Sequence, residues 1–197
     1  MRRCLTILAV MSFLVGFTTS ASAIFGNEYG WTISDSQTDA YSNQGPFISG
    51  LQSLYLFYAC NSKEGMSAAE FDLVSKDPAN TILAFTTMGG YLNAGSATGL
   101  LLAVGGCPNA QPQGAPLAAG LILVLQNVPG AYHLAPSAIN GIKGTVDCNP
   151  VPALWPIQWL GYNHEGIAPQ EKGWDTCVED PVAVEDTSWG SVKSLYR

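Results

Sequence analysis

LAAGLILVLQ, residues 117–126, is apolar at almost every position and carries no charge. Ten residues are too few to cross a membrane as a helix. The run therefore reads as a central strand of a packed domain, buried on both faces. The neighbouring runs continue the pattern. Residues 100–104 (LLLAV) and 81–87 (TILAFTT) are short and apolar. Residues 67–74 (SAAEFDLV) alternate, with Ala69, Phe71 and Leu73 on one face and Glu70 and Asp72 on the other. Such alternation predicts a strand with one wet face. Residues 51–59 (LQSLYLFYA) place Leu54, Leu56 and Tyr58 together, opposite Tyr55 and Phe57.

Between these runs stand the residues that turns require. Gly89-Gly90, Gly95, Gly99, Gly105-Gly106, Pro108-Asn109 and Pro129-Gly130 supply either a positive φ or a φ preset near −65°. Strands at this spacing predict an all-β fold, a single antiparallel β-sandwich, since no amphipathic helical segment lies between them. After Cys148 the texture changes. Residues 149–156 (NPVPALWP) hold three prolines, which favour edge or loop positions.

The start of the chain has the layout of a secretion signal. Arg2 and Arg3 precede an apolar stretch, residues 4–17, and Ala21-Ser22-Ala23 forms a small-x-small cleavage site. An apolar core of this length falls short of the roughly 20 residues a membrane helix needs. Residues 1–23 are therefore expected to be removed, leaving no transmembrane span. Residues 24–180 then form the sandwich, and residues 181–197 an extended segment with a short amphipathic helix. The expected location is outside the cytoplasm: periplasmic, cell-surface or extracellular.

Charge narrows the partners. The chain has 8 Lys and Arg against 15 Asp and Glu, and cleavage would remove two of the bases. An acidic surface without a basic cluster excludes nucleic acid. Four cysteines remain after cleavage: Cys60, Cys107, Cys148 and Cys177. An even count in an oxidising compartment predicts two disulfides. The strand order suggests Cys60–Cys107 and Cys148–Cys177. Their spacing does not suit a zinc ribbon.

No cofactor loop, metal cage or nucleophile elbow is present in the sequence, so no catalytic residue is assigned. Asp35 and Asp39 lack the glycine and closing glutamate of a calcium loop. His133 sits in a strand-like context. The stretch richest in chemistry is Gly161-Tyr162-Asn163-His164-Glu165-Gly166, flanked by Trp155, Trp159 and Trp174. Aromatic faces beside a few polar groups are one way to hold sugars. Trp155, Trp159, Tyr162, His164, Glu165 and Trp174 are therefore the candidate ligand site, with glycans as the candidate ligand.

The last ten residues, SWGSVKSLYR, read as a helix capped by Ser188, with Trp189, Val192, Leu195 and Tyr196 on one face. A helix this short needs a surface to dock on. The run Gly65-Met66-Ser67-Ala68-Ala69-Glu70-Phe71 and the ending Trp189-Gly190-Ser191-Val192-Lys193-Ser194-Leu195-Tyr196-Arg197 resemble a group of uncharacterised secreted bacterial proteins. In that group a cohesin-like or immunoglobulin-like sandwich precedes a WGxxKxLYR-type ending. The resemblance implies export and a cohesin-like or immunoglobulin-like sandwich, and implies no activity; the strand pattern itself leaves a jelly-roll as the other candidate. Two functions compete: a non-enzymatic structural, adhesive or partner-binding module, and a carbohydrate-binding or carbohydrate-active protein. The ending Trp189, Val192, Leu195 and Tyr196 is a candidate docking tail for surface machinery or another protein, or a cover for the sandwich itself.

Overall fold

The computed structural model describes residues 29–60, 65–108 and 116–171. The expected secretion signal, Trp174, Cys177 and the expected C-terminal helix with Trp189, Val192, Leu195 and Tyr196 lie outside these residues.

Among the described residues eleven strands form a β-sandwich: β1 Tyr29–Ser34, β2 Gly50–Cys60, β3 Met66–Ser75, β4 Thr81–Thr87, β5 Tyr91–Asn93, β6 Gly99–Val104, β7 Leu117–Gln126, β8 Ala131–Ala135, β9 Gly144–Asp147, β10 Leu154–Leu160 and β11 Tyr162–Asn163. Sheet A has the order β10-β1-β2-β7-β4. Sheet B is centred on β3. One edge of β3 pairs with β6, which pairs in turn with β5. The other edge is shared end to end by β9, opposite Met66–Glu70, and β8, opposite Asp72–Ser75. Among these described strands every pairing is antiparallel except β1 with β10, which run parallel.

Strand β10 belongs to both sheets. Leu154, Trp155 and Pro156 pair with β9 in sheet B, and Tyr29 to Thr32 then take up Ile157 to Leu160 in sheet A. Proline has no N–H to donate, so a break between two ladders is a position it tolerates. The proline-rich stretch after Cys148 is thus a turn that feeds a strand.

The core lies between the sheets. Leu54, Leu56, Tyr58, Ile122 and Val124 come from sheet A, and Ala69, Phe71, Leu73, Leu100 and Leu102 from sheet B. Trp31 stands at the centre, fully buried. Its ring lies 5.4 Å from Tyr58 and 5.0 Å, edge on, from Phe71. Its indole N–H donates to Thr145 Oγ1 at 3.1 Å. One side chain therefore ties β1 to β2, β3 and β9.

Residues 35–44 fold over the outer face of β1. Thr32 Oγ1 donates to the Ala40 carbonyl at 2.6 Å, and Asn43 Nδ2 to the Ile33 carbonyl at 2.5 Å. Asp35 and Asp39 organise this loop, accepting from Ser42 Oγ at 2.5 Å and from the Tyr41 amide at 2.9 Å.

The expected Cys60–Cys107 and Cys148–Cys177 pairing is corrected. Cys107 bonds Cys148, with Cα atoms 6.0 Å apart. The cause is the register: Ala68 of β3 faces Ala103 of β6 on one edge and Val146 of β9 on the other. Both neighbours leave the sheet at the same corner, carrying Cys107 and Cys148 with them. Cys60 pairs opposite Gly30 in sheet A, and it is disulfide-bonded as well. At the corner Gly65 lies against the Cys107 carbonyl. A Cβ there would come within 2.4 Å of that oxygen, so the contact requires glycine.

Strand β7 departs from its expected double burial. Ile122 and Val124 point into the core, but Leu121, Leu123 and Leu125 on the other face are only half-buried.

Candidate functional site

Apart from Trp174, the aromatic and polar residues singled out in the sequence lie on β10, β11 and the turn that follows. Trp159 is 9% exposed and belongs to the core. Its ring packs 5.5 Å from His133, and the Lys143 ammonium sits 5.9 Å from its centroid. Lys143 pairs with Glu171. Trp155 is half-buried, and its indole N–H donates to Asp147 Oδ2 at 2.8 Å.

Tyr162 is buried, with its hydroxyl donating to Asp35 Oδ2 at 3.3 Å. His164 is buried too, ringed edge on by Phe47, Tyr132 and Tyr162. Its Nε2 lies 2.9 Å from Gln52 Oε1, and its Nδ1 lies 2.7 Å from Gln126 Nε2 and 2.8 Å from the Gly130 carbonyl. Nε2–H donates to Gln52 Oε1, while Nδ1 accepts from Gln126 Nε2 or, carrying a proton, donates to the Gly130 carbonyl. Tyr132 completes the group by donating to Gln126 Oε1 at 3.2 Å. This network closes one end of the sandwich with satisfied polar groups. Glu165 is exposed, with its amide bonded to Asn163 Oδ1 at 3.2 Å. Trp159, Tyr162 and His164 are thus buried, while Trp155 is half-buried and Glu165 exposed.

An open cleft of about 390 Å³ lies between residues 41–44, Leu160, Ile167, Ala168 and Gln170. Among the described residues no Asp, Glu, Lys, Arg or His lines it.

Asp147 is a buried carboxylate that the sequence reading passed over. It accepts from the Trp155 indole, the Ala153 amide at 2.9 Å and Asn149 Nδ2 at 2.7 Å, organising the β9–β10 turn. Its signal was present: Asp147-Cys148-Asn149-Pro150 has the composition of a turn closed by an aspartate. The Trp155 hydrogen bond first, then that from Ala153, holds its pKa below the ordinary 3.8. His133 is also held low, by burial first and then by Lys76 and Lys143.

The signs give a pH profile. The unfolded chain takes up a proton at His133 before the folded one does. Its contribution is therefore constant above about pH 6.5 and turns destabilising below it. The Asp147 contribution is present above the ordinary carboxylate range and is lost as acid titrates the folded carboxylate. The urea midpoint is expected to fall in two stages, below about pH 6.5 and again below about pH 4. His133→Gln should remove the first stage alone. A wild-type midpoint flat between pH 7 and pH 5 would contradict this.

The surface of sheet B carries a second arrangement. Leu92 faces Ala103, Ala103 faces Ala68, Ala68 faces Val146, and Val146 faces Leu154. One unbroken apolar row thus crosses β5, β6, β3, β9 and β10 on the outer face. Its ends are open, Leu92 at 69% exposure and Leu154 at 55%. The next row contains Leu101, Glu70, Gly144 and Pro156. Glu70 accepts from Asn140 Nδ2 at 2.7 Å, and Asp72 accepts from the Ala138 amide at 3.0 Å. The acids are thereby held beside the row. Sequence reasoning missed it because a row depends on register between strands, and register is not local.

No protein-family model matches the chain, and no curated protein matches it in sequence. Among solved structures the chain is similar to the seventh ScaB type I cohesin from Pseudobacteroides cellulosolvens. The identity is 8%, over 75% of this chain and 99% of that one, with a TM-score of 0.47.

Proposed function

We propose that this chain is an exported, non-enzymatic module that binds another protein through the outer face of sheet B. The observation that carries this reading is the apolar row from Leu92 to Leu154, in register across five strands and open at both ends. An apolar centre with polar groups fixed beside it has the layout of a protein interface. The small side chains of Ala68 and Ala103 make the middle of the row flat, and Glu70 and Asp72 favour a partner with a basic rim. Export is supported by the N-terminal signal pattern and by the Cys107–Cys148 disulfide.

The test is retention of exported proteins from the source cell on the immobilised chain. Ala103→Asp sets an unpaired charge in the middle of the row and should weaken partner retention at least about tenfold. Glu165→Gln, on an exposed turn elsewhere, should leave it unchanged. If the wild-type chain retains nothing, or Ala103→Asp retains the same protein equally well, the sheet B reading fails.

A further inference from the structure

The outer face of sheet A is the other open surface, and its chemistry differs. Down its middle run Leu121, Leu123 and Leu125 of β7. Leu125 faces Leu51 on β2 and Thr81 on β4, and Leu121 faces Tyr55 and Thr86. A bulge between Ile82 and Ala84 adds Leu83. Leu51 is 66% exposed and Leu83 45%. Strands β2, β4 and β7 contain no Asp, Glu, Lys, Arg or His. The 35–44 loop already shields the β1 side of this face. A charge-free apolar patch resembles the cut surface of a core more than a transient interface.

We infer that residues 187–197 of the same chain cover this patch, with Trp189, Val192, Leu195 and Tyr196 packed on Leu121, Leu123, Leu125 and their neighbours. This surface is separate from the partner face proposed above. Three observations select the tail as occupant. The first is size. From Leu121 to Leu125 is about 13 Å along the strand, and β2 to β4 spans about 10 Å. One short helix of ten residues, about 15 Å long and 10 Å across, covers that area. A stable dimer needs about 800 Å² per partner, well beyond a patch of these dimensions.

The second is reach. The described chain ends at Glu171, where its amide is bonded to the Trp159 carbonyl at the sheet A edge strand β10. The fifteen residues 172–186 can extend about 50 Å, ample to cross one sheet. The third is charge. All the acids precede residue 187, while residues 187–197 carry Lys193 and Arg197 and no acid. On a helix these two bases lie together at one border of the apolar face. The tail can therefore bury its apolar side on an uncharged patch and turn its bases to the rim of an acidic body, where Asp77 leads into β4.

The test uses the full exported chain and trypsin, reading cleavage after Lys193 by mass spectrometry against a synthetic peptide of residues 186–197. In the wild-type chain cleavage should be at least about tenfold slower than in the peptide, because the bond opens only when the tail lifts off. Leu123→Asp and Trp189→Ala/Leu195→Ala should each restore the peptide rate. Leu83→Asp, at an exposed bulge, gives the same reading if Leu123→Asp does not fold. Wild-type cleavage at the peptide rate would overturn the inference. So would release of the tail by Ala103→Asp in place of Leu83→Asp, which would put the tail on sheet B. A wild-type dimer in sedimentation that Leu83→Asp dissociates would assign the patch to a second copy and overturn it as well.

Discussion

Replacing Cys107 and Cys148 together by serine is expected to cost about 4 kcal/mol of unfolding free energy. The bond closes a loop between residues 41 positions apart, and a cross-link of that span removes much of the freedom of the unfolded chain. It also sits where three strands meet. The Met66 amide that begins β3 donates to the Pro108 carbonyl at 3.1 Å, and Asp147 of β9 immediately precedes Cys148. Opening the bond frees the ends of β6 and β9 from the start of β3. Domains of this size are stable by only about 5–15 kcal/mol, so the loss takes a large share. With a urea slope near 2 kcal/mol/M the midpoint should fall by about 2 M. An unchanged midpoint in the double variant would show that the strand ends are held without the bond.

The second large effect is expected at Trp31. Trp31→Ala should cost about 4 kcal/mol, within the range for removing a fully buried large aromatic side chain. The ring touches Tyr58 of sheet A and Phe71 of sheet B, so the cavity would open between the sheets and could not close by a shift of one strand. Thr145→Val separates the hydrogen bond from the packing. It keeps the shape and removes the acceptor of the indole N–H, at an expected cost of about 1–3 kcal/mol. Urea unfolding of both variants decides the matter. A loss below about 1 kcal/mol for Trp31→Ala would mean that the two sheets do not depend on this ring.

What the sequence made legible follows from how each face is used. Strand β3 was readable because its faces differ: Ala69, Phe71 and Leu73 are buried, while Glu70 and Asp72 stand on the surface. Strand β1 was not, because both of its faces are covered. Its Thr32 and Ser34 are buried under the 35–44 loop, so a polar residue there does not mark solvent. Strand β10 was hidden by its proline, which in a single sheet would argue against a strand. The residues from Trp155 to Glu165 were visible as an aromatic and polar cluster. Their partners Gln52, Gln126 and Asp147 lie on other strands and could be assigned only from the fold.

The passage of β10 from one sheet to the other bears on how the molecule comes apart. In a sandwich whose sheets share no strand, either sheet can fray along its edge and re-form without disturbing the other. Here Leu154, Trp155 and Pro156 are laddered to β9 while Ile157 to Leu160 are laddered to β1. Pulling β10 loose from one ladder loosens the other through the same few peptide bonds. The two layers therefore open as one cooperative unit, and the amides of β1, β9 and β10 exchange with solvent mainly through global unfolding. That leaves little partly opened backbone for a protease to find.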